Sequence, residues 1–260
     1  MDIALNQIAP EMAATYVVTT TRNIERQLSR REPRPGVLFS QYYRRAVCSR
    51  VCGSPVEGVR ADLVHAARNG LAWFETRGEP RSRPRDVWEM RQVAGLLAAY
   101  GSSEEHVRLD GLPSSRWYHP PKKELEASAL AYRLFNRFLL VGEVAPEDAI
   151  ALEDQLAESG MHPIRSQVIA PIELCLSAIG HCDARDFEQG WEMLTTAFAT
   201  VAQHGEFARR FEGLLDPMAL GLLAIARRQG LLTTLSSPYA PVELLTATAV
   251  DEAPPPVGAA

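Results

Sequence analysis

DPMALGLLAIARRQG, residues 216–230, reads as a helix with both ends marked. Asp216 offers a side-chain oxygen to the free backbone N–H groups of a first turn, and Pro217 sits where a missing N–H costs nothing. Arg227 and Arg228 face the negative end of the helix dipole, and Gly230 ends the element. Between them Met218, Leu220, Leu222, Leu223 and Ile225, interleaved with Ala219, Gly221 and Ala224, leave no polar face. A helix apolar all round must be surrounded by other helices, so the stretch predicts an all-α fold with this element at its core. LLTTLSSPYAPVELL, residues 231–245, follows as an extended segment, a Pro-Tyr-Ala-Pro corner and a last helical turn. Leu231–Leu235 is the one candidate strand.

Working outward, the same periodicity recurs. Phe187, Trp191, Leu194, Phe198 and Val201 form the clearest amphipathic stripe, opened by Asp183 as a cap and closed near Gly205. Before it, Val168, Ile172, Cys175 and Ile179 line a helix in which Pro171 predicts a kink. Leu125 to Gly142 and Ala145 to Gly160 read as two more, the second short and acidic. Nearer the start, Pro10 opens a helix with a Val17, Thr21, Ile24, Leu28 stripe, and another runs from about Val37 toward Arg50. Val59, Leu63, Gly70, Leu71 and Phe74 line a third, with Asp62 on another part of the wheel; Asp86 caps a fourth, bearing Val87, Met90, Leu97 and Tyr100, that ends at Gly101. VRLDGLPSSRWYHPPK, residues 107–122, breaks the helical pattern. The expectation is an irregular array of about nine or ten helices packed as antiparallel hairpins. It forms one domain over 1–250, and 251–260 is a tail with too little to bury.

The 260 residues, 46% hydrophobic and 23% charged, suit an ordinary globular chain able to bury a sizeable core. No run is long and apolar enough for a bilayer and no secretory leader pattern opens the chain, so the expected location is the cytoplasm and no membrane partner is expected. The net charge of −5 conceals two ends. Residues 1–123 carry 19 Lys and Arg against 13 Asp and Glu, a balance of +6, whereas 124–260 carry 8 against 19, a balance of −11. Such asymmetry bears on partners and encounter rates, not on fold.

Candidates for chemistry are few. Cys48, Cys52, Cys175 and Cys182 are too sparse for a disulfide framework, and their spacings of three and six intervening residues do not suit structural zinc, so they read as thiols. The six histidines occur singly, and no phosphate loop, HExxH, GxSxG or GxGxxG turn is present; no catalytic, metal or cofactor residue is assigned. Glu188 and Glu192 lie one helical turn apart, and with His181 they are the alternative reading of a helical enzyme or small-ligand domain. Arg44, Arg45 and Arg50 beside Tyr42 and Tyr43 mix guanidinium and aromatic groups as single-strand nucleic-acid sites do, as do Arg81, Arg83 and Arg85. A sequence pI of about 5.7 and the lack of a nucleic-acid motif favour internal pairing or a solvated face instead.

DPMALGLLAIARRQG followed by SPYAPVELL, an apolar helix ending near a Gly, a few extended residues and a Tyr-x-Pro corner before Leu244 and Leu245, resembles the C-terminal signature of the immunity protein 49 family of bacterial polymorphic toxin systems. The match covers about 30 residues of the chain; the first 120 carry no comparable signature. The resemblance implies a helical protein that binds and silences a cognate toxin, which needs no active site. A helical adaptor without a toxin is a further alternative, and a homo-oligomer remains open. Two surfaces suit an interface: the acidic residues Glu147, Asp148, Glu153, Asp154 and Glu158 on one helix with Asp186, Glu188 and Glu192 on another, and the loop bearing Arg116, Trp117 and Tyr118.

Overall fold

The computed structural model describes residues 7–76, 84–112, 135–136, 170–205, 207–231 and 234–245. Among them the chain is all-α, with eight α-helices: α1 (Pro10–Leu28), α2 (Pro35–Val51), α3 (Val56–Thr76), α4 (Pro84–Tyr100), α5 (Ser103–Asp110), α6 (Ala170–His181), α7 (Ala184–His204) and α8 (Pro217–Arg228). Short 3-10 turns at Phe211–Leu214 and Val242–Leu244 complete the set. In place of a strand, the described residues hold one isolated antiparallel bridge, Ser237 with Ala240, at the expected Pro-Tyr-Ala-Pro corner. Of the helix expected over 125–142 only residues 135–136 are described, and they are helical; the helix expected over 145–160 and the tail 251–260 lie outside the described residues. None of the described helices is long and apolar enough to cross a membrane.

Helices adjacent in sequence pack side by side as α1 with α2, α2 with α3, α3 with α4 and α6 with α7. The long-range pairing that organises the core is α4 with α8. Every residue of α8 from Pro217 to Ala226 is buried, and so is every residue of α4 from Met90 to Ala99. Their backbones touch. A Cβ on Gly95 would lie 2.4 Å from the Pro217 carbonyl, and one on Gly221 would lie 2.6 Å from the Gly95 oxygen. Only residues without a side chain permit that approach. All eight helices contribute to one apolar cluster, from Ile8 and Ala13 through Leu109, Phe135 and Phe187 to Leu245.

The ends marked in the sequence are capped as read. Asp216 Oδ1 accepts from Met218 N at 3.1 Å, and Asp183 Oδ1 accepts from the N–H groups of Arg185 and Asp186. Arg227 and Arg228 occupy the last turn of α8, and Gly230 takes a left-handed φ of 79° just beyond it. Pro171 is the second described residue of α6, and the residues before it, Val168 of the expected stripe included, lie outside the described residues. Other expectations are corrected. The buried stripe of α1 is Ala13, Thr20, Ile24 and Gln27, while Leu28 is 55% exposed: the buried line is rotated about one residue from the expected one. Helix α4 starts at Pro84, so Asp86 lies inside its first turn and does not cap it. Helix α5 fills the stretch after Gly101 to which the periodicity assigns no element and runs into the expected break at 107–122. Ser102 Oγ accepts from Glu105 N at 3.3 Å while the Glu105 carboxylate accepts from Ser102 N at 2.9 Å, a reciprocal capping box that stabilises an eight-residue helix.

The segment 234–245 is strapped across the N-terminal helices through its carbonyls. Arg50 donates to Pro238 O at 2.7 Å, Arg60 to Leu244 O at 3.1 Å and Tyr100 to Leu244 O at 3.2 Å. Asp216 N donates to Tyr239 O at 2.7 Å, joining the strap to the start of α8. Arg228 reaches across α4 to donate to the Ala98 carbonyl.

Candidate functional site

Three of the expected interface residues, Asp186, Glu188 and Glu192, share α7. That helix buries Phe187, Gly190, Trp191, Leu194, Thr195, Phe198 and Ala202, and Trp191 Nε1 donates to Ala219 O at 2.9 Å, pinning it to α8. The 3.6-residue period then turns the three carboxylates outward, and all three are exposed. Among the described residues none of these carboxylates has an ion-pair or hydrogen-bond partner, whereas Asp62, Glu75, Glu105 and Asp216 each pair with an arginine. Asp186 lies in the first turn, where the helix dipole favours it; Glu188 and Glu192, one turn apart, repel each other by a few tenths of a kcal/mol, roughly. Met193, 41% exposed, adds an apolar contact beside them. Glu147, Asp148, Glu153, Asp154 and Glu158, and the loop residues Arg116, Trp117 and Tyr118, lie outside the described residues.

The basic and aromatic cluster of α2 is occupied internally. Arg45 grips Asp62 through two bonds of 2.8 and 2.6 Å, Arg50 donates to the carbonyls of Leu214 and Pro238, and Arg44 lies over the Phe211 ring at 5.4 Å. Tyr43 donates to Leu215 O at 3.1 Å, and Tyr42 stacks on His65 with centroids 4.8 Å apart. The bond to Asp62 raises the pKa of Arg45, and burial lowers that of Arg50. These groups are engaged within the fold. Arg81 and Arg83, and the side chain of Arg85, lie outside what is described.

All four cysteines are free, Cys48 and Cys175 buried, Cys52 and Cys182 exposed. Burial pushes the Cys48 thiol up to about 12 and raises Cys175 further, which keeps both protonated and unreactive. Among the described residues no three His, Cys, Asp or Glu side chains gather as metal ligands would. His181 donates from Nδ1 to the Ser177 carbonyl at 2.8 Å within its own helix.

Two polar groupings escaped sequence reading. Arg91 Nη2 lies 3.1 and 3.0 Å from the two oxygens of Asp216, with side chains 4% and 0% exposed. Asp216 therefore caps α8, neutralises a buried guanidinium on α4 and anchors the strap at once. His106 and Asn136 form the second: Nδ1 lies 3.0 Å from Asn136 Oδ1, and Asn136 Nδ2 donates to the His106 carbonyl at 3.2 Å. That reciprocity makes Nδ1 the donor toward Asn136. Burial, only partly offset by the bond to Asn136, lowers the pKa of His106. The capping box Ser102-x-x-Glu105 was a legible signal for the helix that carries His106; nothing local to Arg91 marks it as buried.

No family model, curated protein or solved structure matches the chain.

Proposed function

We propose that the chain is an immunity protein that neutralises a cognate toxin by direct binding, with the outer face of α7 as part of its docking surface. The observation that carries the reading is the set Asp186, Glu188 and Glu192: exposed, of one sign, and without internal partners on a helix whose other side is locked into the core. Carboxylates without a partner in the fold are suited to steering a basic partner, and a rigid support keeps the ordering cost of docking low. Arg44, Arg45 and Arg50 of α2, in contrast, are committed to a ring face, to Asp62 and to carbonyls. The acidic residues of 147–158 extend the same charge in sequence.

The test is co-expression with the toxin domain encoded in the adjacent reading frame. Rescue of growth supports the reading; binding without rescue points to an adaptor, and neither outcome, with the complete toxin present, removes it. The triple variant Asp186→Lys, Glu188→Lys, Glu192→Lys should lower the association rate about tenfold or more at low salt and leave the melting temperature in place. An association rate indifferent both to salt and to the triple variant takes α7 out of the interface.

A further inference from the structure

We propose that the groove between α2 and α3 is a binding site for a neutral, hydroxyl-rich small molecule of the size of a sugar. The groove holds about 460 Å³, within the range of ligand sites. One wall is Tyr42, Arg45 and Ser49, at helical spacing on α2; the other is Gly58, Asp62 and His65, at helical spacing on α3. The turn between the helices, Ser54 and Pro55, closes one end.

Charge defines the ligand class. Asp62 takes Nε and Nη2 of Arg45 in a fork, so the groove carries a neutralised pair and no surplus of either sign for an anion or a cation. What remains is a fixed array of unused hydrogen-bonding capacity. Arg45 Nη1 donates to no described residue, each Asp62 oxygen keeps a lone pair, and the Ser49 and Ser54 hydroxyls have no partner among the described residues. Adjacent donors and acceptors held rigidly beside one another match adjacent hydroxyl groups. The exposed His65 ring, stacked on Tyr42 at 4.8 Å and 23°, supplies a flat apolar wall for the C–H face of a sugar ring.

Gly58 is the independent observation. It is the third residue of α3, in the first turn, needs no left-handed backbone, and a Cβ there would meet nothing within 4 Å. Gly58 lines the groove together with Ser49, Asp62 and His65, and a large side chain there would fill it.

The experiment is calorimetric titration of the full chain with glucose, galactose, ribose and myo-inositol, alongside glucuronate, glucose 6-phosphate and glucosamine. At least one neutral member should bind with a Kd at or below about 1 mM, more tightly than the charged compounds. Gly58→Phe, which fills the groove without touching the core, should weaken that binding at least about tenfold, and Ser49→Ala about threefold. Gly58→Ala should raise the melting temperature, which separates helix propensity from occlusion. Absence of saturable binding by every neutral compound, tighter binding of a charged one, or affinity unchanged in Gly58→Phe each overturns the proposal.

Discussion

Among the described residues two arginine–aspartate pairs join helices, and they sit in opposite environments. Arg91–Asp216 ties α4 to α8 in the interior, with side chains 4% and 0% exposed; Arg45–Asp62 ties α2 to α3 at the rim, at 23% and 10%. The rim pair has the better geometry, two bonds through separate guanidinium nitrogens, and the interior pair shares one nitrogen between both oxygens. Depth outweighs geometry. Water can reach either member of the rim pair if the other is lost, whereas the Arg91 guanidinium, 4% exposed, would lose its carboxylate where water does not readily replace it. The interior pair is therefore a condition of folding, and the rim pair is free to serve a surface.

The sharpest way to break this contrast is Asp216→Ala. It takes the Asp216 carboxylate away from the buried Arg91, removes the cap of α8 and should cost about 2–4 kcal/mol in urea unfolding. A loss under about 1 kcal/mol would mean that water already reaches Arg91. Next in size is Gly221→Ala, which sets a methyl 2.6 Å from the Gly95 oxygen and forces α4 and α8 apart, at about 1–3 kcal/mol. An unchanged unfolding midpoint would show that the two helices can separate freely. Asp62→Ala should cost about 1–2 kcal/mol, between the values for exposed and buried pairs, and its cost should shrink in high salt while that of Asp216→Ala does not.

The same contrast explains what was legible beforehand. Helix α8 could be read because cap, proline, apolar run and terminal arginines all act within 15 residues and agree. The outward carboxylates of α7 could be read because a 3.6-residue period with large apolar residues on one side fixes the other. Arg91 could not: its partner is 125 residues away, and a charged residue in an apolar helix reads as the wet side until that partner is known. Asp62 was placed off the buried stripe for the same reason, since Arg45 lies on a different helix. The stripe of α1 slipped by one residue because Thr20 and Gln27, which are buried, look polar, and Leu28, which is exposed, looks apolar. Of the proposed interface, the loop of Arg116, Trp117 and Tyr118 stands on composition alone.

The smallest expected effect is a slope. His106 is buried and its pKa is lowered, chiefly by desolvation, while in the unfolded chain it titrates near the ordinary histidine value of about 6.5. Below that value the unfolded state binds the extra proton and the folded state resists it, so stability is complete above about pH 6.5 and declines as the pH falls toward the folded value. One such group can contribute no more than about 1.4 kcal/mol per pH unit. Unfolding midpoints between pH 7.5 and 5.5 should fall with acid in the parent chain and stay flatter in His106→Gln, which keeps a donor toward Asn136 but cannot charge. Equal slopes in the two chains would mean that the ring is protonated in place and solvated, and then the α5 side of the core is open to water in a way the α4–α8 interior is not.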